Sequence, residues 1–181
     1  MPYPALQGPY QLQNAAAVLM VLALLAQRLP VTQDAVRQGL IAVRLPGRFQ
    51  VVPGVVEVIL DVAHNPHAAR ALARALNGRP CAGRTHAVLA MLADKDAEGV
   101  VSVLAGSVDT WHLAGISGGR GQTAEQLAAR LHACCVAQGN LHCHADVASA
   151  FQATQAASGA GDRIVVFGSF YTVAEAARLI L

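Results

Sequence analysis

From Phe49 to the end of the chain, short apolar runs alternate with stretches of helical periodicity. This alternation constrains the fold more than any other feature. The runs Phe49–Val52, Val55–Leu60, His86–Leu92, Thr110–Ile116, Asn140–His144 and Arg163–Phe167 have strand length. The first two are parted only by the turn pair Pro53-Gly54 and read as a hairpin. Helical patterns cover Pro66–Leu76, Asp96–Ala105, Thr123–Gln138, Asp146–Ala157 and Thr172–Leu181. Thr123-Ala-Glu-Gln126 and Thr172-Val-Ala-Glu175 match capping boxes. Apolar strands separated by amphipathic helices predict an α/β fold: a mainly parallel, Rossmann-like sheet with helices on both faces. Upstream, residues 9–28 read as an apolar helix stopped by Pro30, and Thr32–Val43 as a second helix with Thr32 as its N-cap. Arg44–Arg48 reads as a linker. The chain thus divides into a helical segment over 1–45 and an α/β domain over 46–181.

Composition narrows the function classes. The chain is 54% hydrophobic and only 13% charged, so it can bury a large core but has little charge to cover a surface. Such a chain expects a neighbouring domain. A net charge of +2 with scattered arginines leaves no electrostatic footprint for nucleic acid. The longest apolar run, Ala15–Ala26, falls well short of the roughly 20 residues that span a bilayer. No basic segment precedes it, so it does not read as a secretory signal. No membrane partner and a cytoplasmic location are the expectation. The 4 cysteines include no C-x-x-C pair. His142-Cys143-His144 with Cys134-Cys135 reads as small buried residues beside a polar loop rather than as a metal site. Lys95 is the sole lysine, so no Gly-Lys-Ser/Thr phosphate loop is present. An arginine does not reproduce that lysine's geometry. This chain alone cannot drive phosphoryl transfer from ATP by the P-loop route.

The segment Asp61-Val62-Ala63-His64-Asn65-Pro66 closes a strand and opens a helix, and Pro66 suits the first helical turn. Ligands of parallel sheets bind at this carboxyl edge. Asp61 either meets a ribose or cation there or caps the helix. His64 either contacts a phosphate or donates at the helix start; it has no acid partner that would make it a general base, and no catalytic residue is assigned. Asn65 reads as a turn residue and His67 as a surface one. Arg48, in Leu45-Pro46-Gly47-Arg48-Phe49, places a permanent planar cation on a fixed turn, suited to a phosphate or a base. Its alternative is a solvated linker charge. Asn14 within an apolar helix is costly if buried without partners, and otherwise reads as an exposed position or a helix cap. Asp94-Lys95-Asp96 reads as a solvated loop and N-cap, with Lys95 leaning toward an interdomain or substrate-side contact. Gly115–Gly121 does not fit G-x-G-x-x-G and reads as a plain flexible loop. Ser169 lines the edge but lacks the G-x-S-x-G elbow of a hydrolase.

These pieces, in this order, resemble the folylpolyglutamate synthase/dihydrofolate synthase family within the Mur ligase group. Gln11-Leu12-Gln13-Asn14-Ala15-Ala16 resembles the helix that ends the family's central ATPase domain. Leu-Pro-Gly-Arg-Phe followed by Asp-Val-Ala-His-Asn-Pro, then Met91-Leu92-Ala93-Asp94-Lys95-Asp96, then Phe167–Glu175 resemble its C-terminal α/β domain. The likeness covers nearly all of this chain but only the C-terminal part of such an enzyme. It implies a ligase that uses ATP and Mg²⁺ to phosphorylate a carboxylate of a pteroate or folate, after which the amine of L-glutamate forms an amide. It also implies that Asn14, Arg48, Asp61 and His64 contact the nucleotide and that Lys95 and Ser169 face the substrate. The P-loop, most Mg²⁺ ligands and a modified lysine would belong to an N-terminal part outside this chain. The segment alone is then expected to be inactive, with an exposed, marginal helix pair over 1–45. Two other readings stand beside it: a Mur ligase acting on a peptidoglycan precursor, and a non-catalytic nucleotide-binding module.

Overall fold

Residues 1–6, 8–132 and 140–181 are described by the computed structural model. The chain separates into two units, Met1–Pro46 and Gly47–Leu181. The first holds α1 (Pro9–Leu24) and α2 (Gln33–Ala42). Thr32 caps α2, its Oγ1 accepting the Ala35 N–H at 3.2 Å. The apolar helix ends at Leu24, short of residue 28. No described residue of this unit is buried, and Leu12, Val18, Met20, Val21 and Leu24 are exposed. Among the described residues, no helix is long and apolar enough to cross a membrane.

The second unit is a six-stranded sheet of β1 (Gln50–Val52), β2 (Glu57–Leu60), β3 (Thr85–Leu89), β4 (Thr110–Ala114), β5 (Leu141–His144) and β6 (Arg163–Phe167). Their spatial order is β1-β2-β6-β3-β4-β5. Only β1 is antiparallel, pairing Gln50 with Leu60 and Val52 with Val58 as the hairpin reading requires. Among the described residues α3 (Pro66–Asn77), α4 (Ala97–Leu104), α5 (Ala124–His132) and α6 (Val147–Ala157) lie between successive strands, and α7 (Phe170–Ile180) follows β6.

The strand order explains the two helical layers. The chain advances from β2 through β3 and β4 to β5, then doubles back to insert β6 between β2 and β3. Right-handed crossovers put helices on one face for one direction and on the other face for its reverse. Accordingly α3, α4 and α5 share one core cluster, with Leu72, Val101 and Leu127. Helices α6 and α7 share the other, with Phe151 and Val173. Period-two alternation sorts the strand residues between them: Ile59, Leu89, Leu113 and Phe167 face the first, and Leu60, Val88, Ala114 and Val166 the second. Apolar residues are used on both sides because both sides are covered. Each of the larger side chains, Val, Leu, Ile or Phe, contributes about 1.5–3 kcal/mol on burial.

Several ends differ from the sequence pattern. Strand β3 stops at Leu89 and β4 at Ala114, because the residues that follow leave the ladder to build loops at the carboxyl edge. Helix α7 starts at Phe170, since Ser169 rather than Thr172 is its N-cap: Ser169 Oγ accepts the Thr172 N–H at 3.0 Å. Thr172 Oγ1 is drawn away to donate to the Ala90 carbonyl at 2.8 Å. The Thr123–Gln126 box does form, with reciprocal bonds of 3.2 and 2.9 Å. The expected helix over 123–138 is described as far as His132; its remainder, with Cys134 and Cys135, lies outside the described residues.

Candidate functional site

The turn Gly47-Arg48-Phe49 begins the site. Gly47 has φ 68° and Phe49 φ 45°. A Cβ on Gly47 would stand 3.0 Å from the side chains of both Val62 and Val173, so a larger residue there is strained and must displace both valines. A left-handed phenylalanine costs about 1–3 kcal/mol and persists only where its surroundings enforce it. Here Asp61 enforces it. Asp61 Oδ2 accepts the Phe49 N–H at 2.9 Å, and Oδ1 accepts the Ala63 N–H at 2.8 Å. The Val62 N–H donates to Gly47 O at 2.9 Å, and the Phe49 ring is buried. Burial pushes the Asp61 pKa up, opposed by the two backbone N–H groups and the Arg48 charge. Asp61 is therefore a clasp between the turn and the end of β2. It does not cap α3: that role falls to Asn65, whose Oδ1 accepts the Ala68 N–H at 2.9 Å. With its backbone pinned, Arg48 extends an exposed side chain whose guanidinium carbon lies 5.4 Å from the centre of the Phe170 ring.

The carboxyl ends of β2, β3 and β6 meet beside this turn. His64, Lys95, Arg120, Ser169, Phe170 and Tyr171 line a hollow of about 150 Å³. Gly168 makes the meeting possible. At φ 114° it lets the β6–α7 turn close onto β3, where a Cβ would fall 2.5 Å from the Ala90 carbonyl oxygen. Ser169 reaches the hollow, but its buried Oγ is engaged with Thr172, whose N–H it accepts and whose Oγ1 lies 2.6 Å away. His64 Nδ1 lies 2.8 Å from Val62 O. A carbonyl can only accept, so Nδ1 carries the proton and Nε2 is left for a ligand. Lys95 Nζ and Arg120 Nη2 flank Asp94 at 3.6 and 2.7 Å. The Arg120 hydrogen bond holds the Asp94 carboxyl below its usual range. Two cations thus share one carboxylate on this rim. A second hollow of about 290 Å³ continues past Arg120 and Tyr171 along Ile116–Gly121.

Arg120 and the aromatic pair Phe170 and Tyr171 were not candidates from the sequence. The loop that carries Arg120 is not the plain flexible segment expected. Its backbone accepts the Ala93 N–H at Arg120 O, 3.0 Å, and Gln122 Nε2 donates to Met91 O at 2.9 Å. The signal was available in principle, since parallel strands bring all their carboxyl ends to one edge, and the loop after β4 must neighbour the loop after β3. Arg130 of α5 is a further support. It pairs with Glu98 through two bonds of 2.7 Å and donates to Lys95 O at 2.7 Å and to Ala93 O at 3.2 Å, fixing the loop on which Lys95 stands.

The remaining candidates lie elsewhere. Asn14 belongs to the first unit, where it is exposed and its Nδ2 donates to Gln11 Oε1 at 3.1 Å. His142 and His144 stack on buried His112 of β4, with ring centres 4.9 and 5.2 Å apart, and His112 Nδ1 lies 3.1 Å from His144 Nε2. Among the described residues no group of three or more His, Cys, Asp or Glu side chains is placed to hold a metal ion. Burial, then the neighbouring histidines, push the His112 pKa down to about 4.

This edge presents cations, an imidazole nitrogen and aromatic faces, and among the described residues it holds no base–nucleophile pair. Its chemistry is that of binding phosphate or carboxylate groups and orienting them. Residues 47–170 match the family of the Mur ligase, glutamate ligase domain. The dihydrofolate synthase/folylpolyglutamate synthase of Escherichia coli K12 is 42% identical over 180 residues, covering 99% of this chain and 40% of that protein. The structure of E. coli FolC in complex with DHPP and ADP superposes with a TM-score of 0.85 at 42% identity, over 99% of this chain and 40% of that one. A bifunctional folylpolyglutamate synthase/dihydrofolate synthase with Mn, AMPPNP and L-glutamate bound gives a TM-score of 0.85 at 41% identity, over 100% of this chain and 41% of that one. This chain thus spans about two fifths of the length of the curated relatives it matches.

Proposed function

As the chain belongs to the Mur ligase family, carrying its glutamate ligase domain over residues 47–170, we propose that it acts as the C-terminal part of an ATP-dependent ligase that adds L-glutamate to dihydropteroate, to folates, or to both. In that reading residues 1–45 are the last helices of a central ATPase domain. Their lack of any buried residue among those described supports a segment meant to pack on more protein. The P-loop and most ligands of the divalent cation would lie in the part of the enzyme outside this chain, which has a single lysine and no Gly-Lys-Ser/Thr. The segment by itself is inactive, and the whole enzyme works in the cytoplasm.

The reaction proceeds in two transfers. A carboxylate oxygen of the pteroate or folate attacks the γ-phosphorus of ATP, the O–P bond forms, and ADP leaves. The glutamate amine then attacks the acyl carbon, the C–N bond forms, and inorganic phosphate leaves with the amine proton passing to solvent. Arg48, its turn clasped by Asp61, and His64 Nε2 meet the nucleotide's phosphates. Charge-assisted bonds of this kind stabilise anionic groups most where water is excluded. Lys95 receives a carboxylate of the incoming glutamate, Arg120 adds a second cation beside it, and Ser169 lines the same substrate-side hollow.

The observation that carries this reading is the convergence of His64, Lys95, Arg120 and Ser169 on one hollow at the carboxyl edge of β2, β3 and β6. Its test is glutamate-dependent ADP release by the full-length ligase, with dihydropteroate and tetrahydrofolate offered separately, beside Arg48→Ala and Asp61→Ala. Turnover that requires a pteridine and falls in both variants is the expected result. No turnover with either pteridine would turn the reading toward a peptidoglycan ligase or a binding module.

A further inference from the structure

Arg48 and Phe170 form a pair whose logic neither residue has alone. Phe170 is the first residue of α7, locked in place by the Ser169 cap, and it is 60% exposed. A phenyl ring left in water at a rigid helix start has a cost that nothing in the core repays. Arg48 stands on a turn whose backbone is fixed by three hydrogen bonds, Gly47 N–H to Gln50 Oε1, Val62 N–H to Gly47 O and Phe49 N–H to Asp61 Oδ2, with Asp61 itself held by the Ala63 N–H. Its side chain is nonetheless long and exposed, and such a chain carries much rotamer freedom.

The guanidinium carbon lies 5.4 Å from the centre of the Phe170 ring, within the range of a cation–π contact. This way of holding an arginine differs from an ion pair in one respect. A carboxylate partner takes up the N–H fork, whereas an aromatic face binds the flat side of the guanidinium and leaves the in-plane donors open. Asp61, whose carboxyl feels the Arg48 charge, already accepts the backbone N–H groups of Phe49 and Ala63. The contact therefore restricts Arg48 without consuming its fork.

From this geometry we infer that Phe170 is a positioning residue for Arg48: it holds the guanidinium, fork open, at the mouth of the hollow so that an anionic phosphate meets a preset partner. The inference rests on the nucleotide reading of Arg48 given above. Phe170 acts through Arg48 and needs no contact with the nucleotide. Preorganising a side chain lowers the cost of binding without adding a contact. An exposed cation–π contact of ordinary strength corresponds to a roughly two- to fivefold effect on apparent affinity.

The test uses the full-length ligase with Phe170→Leu, Phe170→Tyr, Arg48→Ala and the pair Arg48→Ala/Phe170→Leu, reading KM for ATP, KM for glutamate and kcat. Leucine keeps the apolar bulk and removes the ring face; tyrosine keeps both. The expected result is a KM for ATP raised roughly two- to fivefold in Phe170→Leu, restored in Phe170→Tyr, with kcat and the KM for glutamate little changed. In the Arg48→Ala background, Phe170→Leu should add nothing. Three results would overturn the inference. An ATP KM in Phe170→Leu equal to the parent's, while Arg48→Ala raises it, removes the positioning role and leaves the reading of Arg48 intact. An equal effect of Phe170→Leu in both backgrounds, or a shift confined to glutamate, means that the ring touches a substrate directly. An Arg48→Ala variant with an unchanged ATP KM removes the nucleotide reading of Arg48 itself, and the positioning role with it.

Discussion

Asp61 Oδ2 accepts the backbone N–H of Phe49 at 2.9 Å, tying the end of one strand to a turn that precedes its hairpin partner. That bond keeps Phe49 at φ 45° and thereby sets the direction in which Arg48 leaves the turn. The carboxylate suits this task because both of its oxygens accept, and the two N–H groups it meets both donate.

Asparagine at this position keeps the shape but turns an acceptor into a donor, so its amide would face one of those N–H groups. Asp61→Asn should lower stability by about 1–3 kcal/mol, the usual cost of an unsatisfied buried polar group. Urea unfolding of the chain measures this. A midpoint equal to the parent's would mean that the clasp is not what holds the turn.

The histidine stack on β4 and β5 makes a pH dependence. His112 has its pKa lowered from 6.5 to about 4. Folding thus favours the neutral ring. Below about pH 6.5 the unfolded chain binds a proton that the folded chain refuses, so stability falls from there toward pH 4; above 6.5 this contribution is constant. His112→Phe keeps a ring between His142 and His144 and removes the titration. Its urea midpoint should drop less than the parent's between pH 7.5 and pH 5. Parallel losses in the two proteins would show that acid sensitivity arises elsewhere.

Arg130 ties the loop of Lys95 to α5 through the Lys95 and Ala93 carbonyls. Arg130→Ala should displace Lys95 and raise the KM for glutamate in the full-length ligase by on the order of tenfold, with a smaller change for ATP. Equal shifts for both substrates would instead indicate a general loosening of the edge.

Gly168→Ala should be among the most damaging single-methyl changes in the chain. The added carbon would overlap the Ala90 carbonyl oxygen at 2.5 Å and meet a φ of 114°. A loss of about 2 kcal/mol or more is expected from strain of this kind, read from thermal unfolding. Unaltered stability would mean that the β6–α7 turn moves freely away from β3.

Features governed by neighbours a few residues apart were open to reading from the chain alone. Thr32 caps α2, Thr123 and Gln126 satisfy each other, Pro53-Gly54 closes the hairpin, and β6 runs from Arg163 to Phe167. Each rests on local geometry. The choice between Ser169 and Thr172 as the cap of α7 was not open in this way. Both residues are able to cap, and the decision belongs to the Ala90 carbonyl, 82 positions away, which takes the Thr172 hydroxyl.

The same division applies to the site. Composition and motif order determined that Arg48, Asp61, His64, Lys95 and Ser169 stand where strands end, because strand, turn and helix signals are encoded within a few residues. Only the tertiary structure decided that β6 inserts between β2 and β3, and so brings Ser169 and Phe170 beside His64 and Arg48. It alone decided that Asp61 clasps Phe49 rather than capping α3, and that Arg120 joins Lys95 across Asp94. These are contacts between distant parts of the chain. They depend on the order in which strands pair and on which faces the helices cover, quantities that no local run of residues contains.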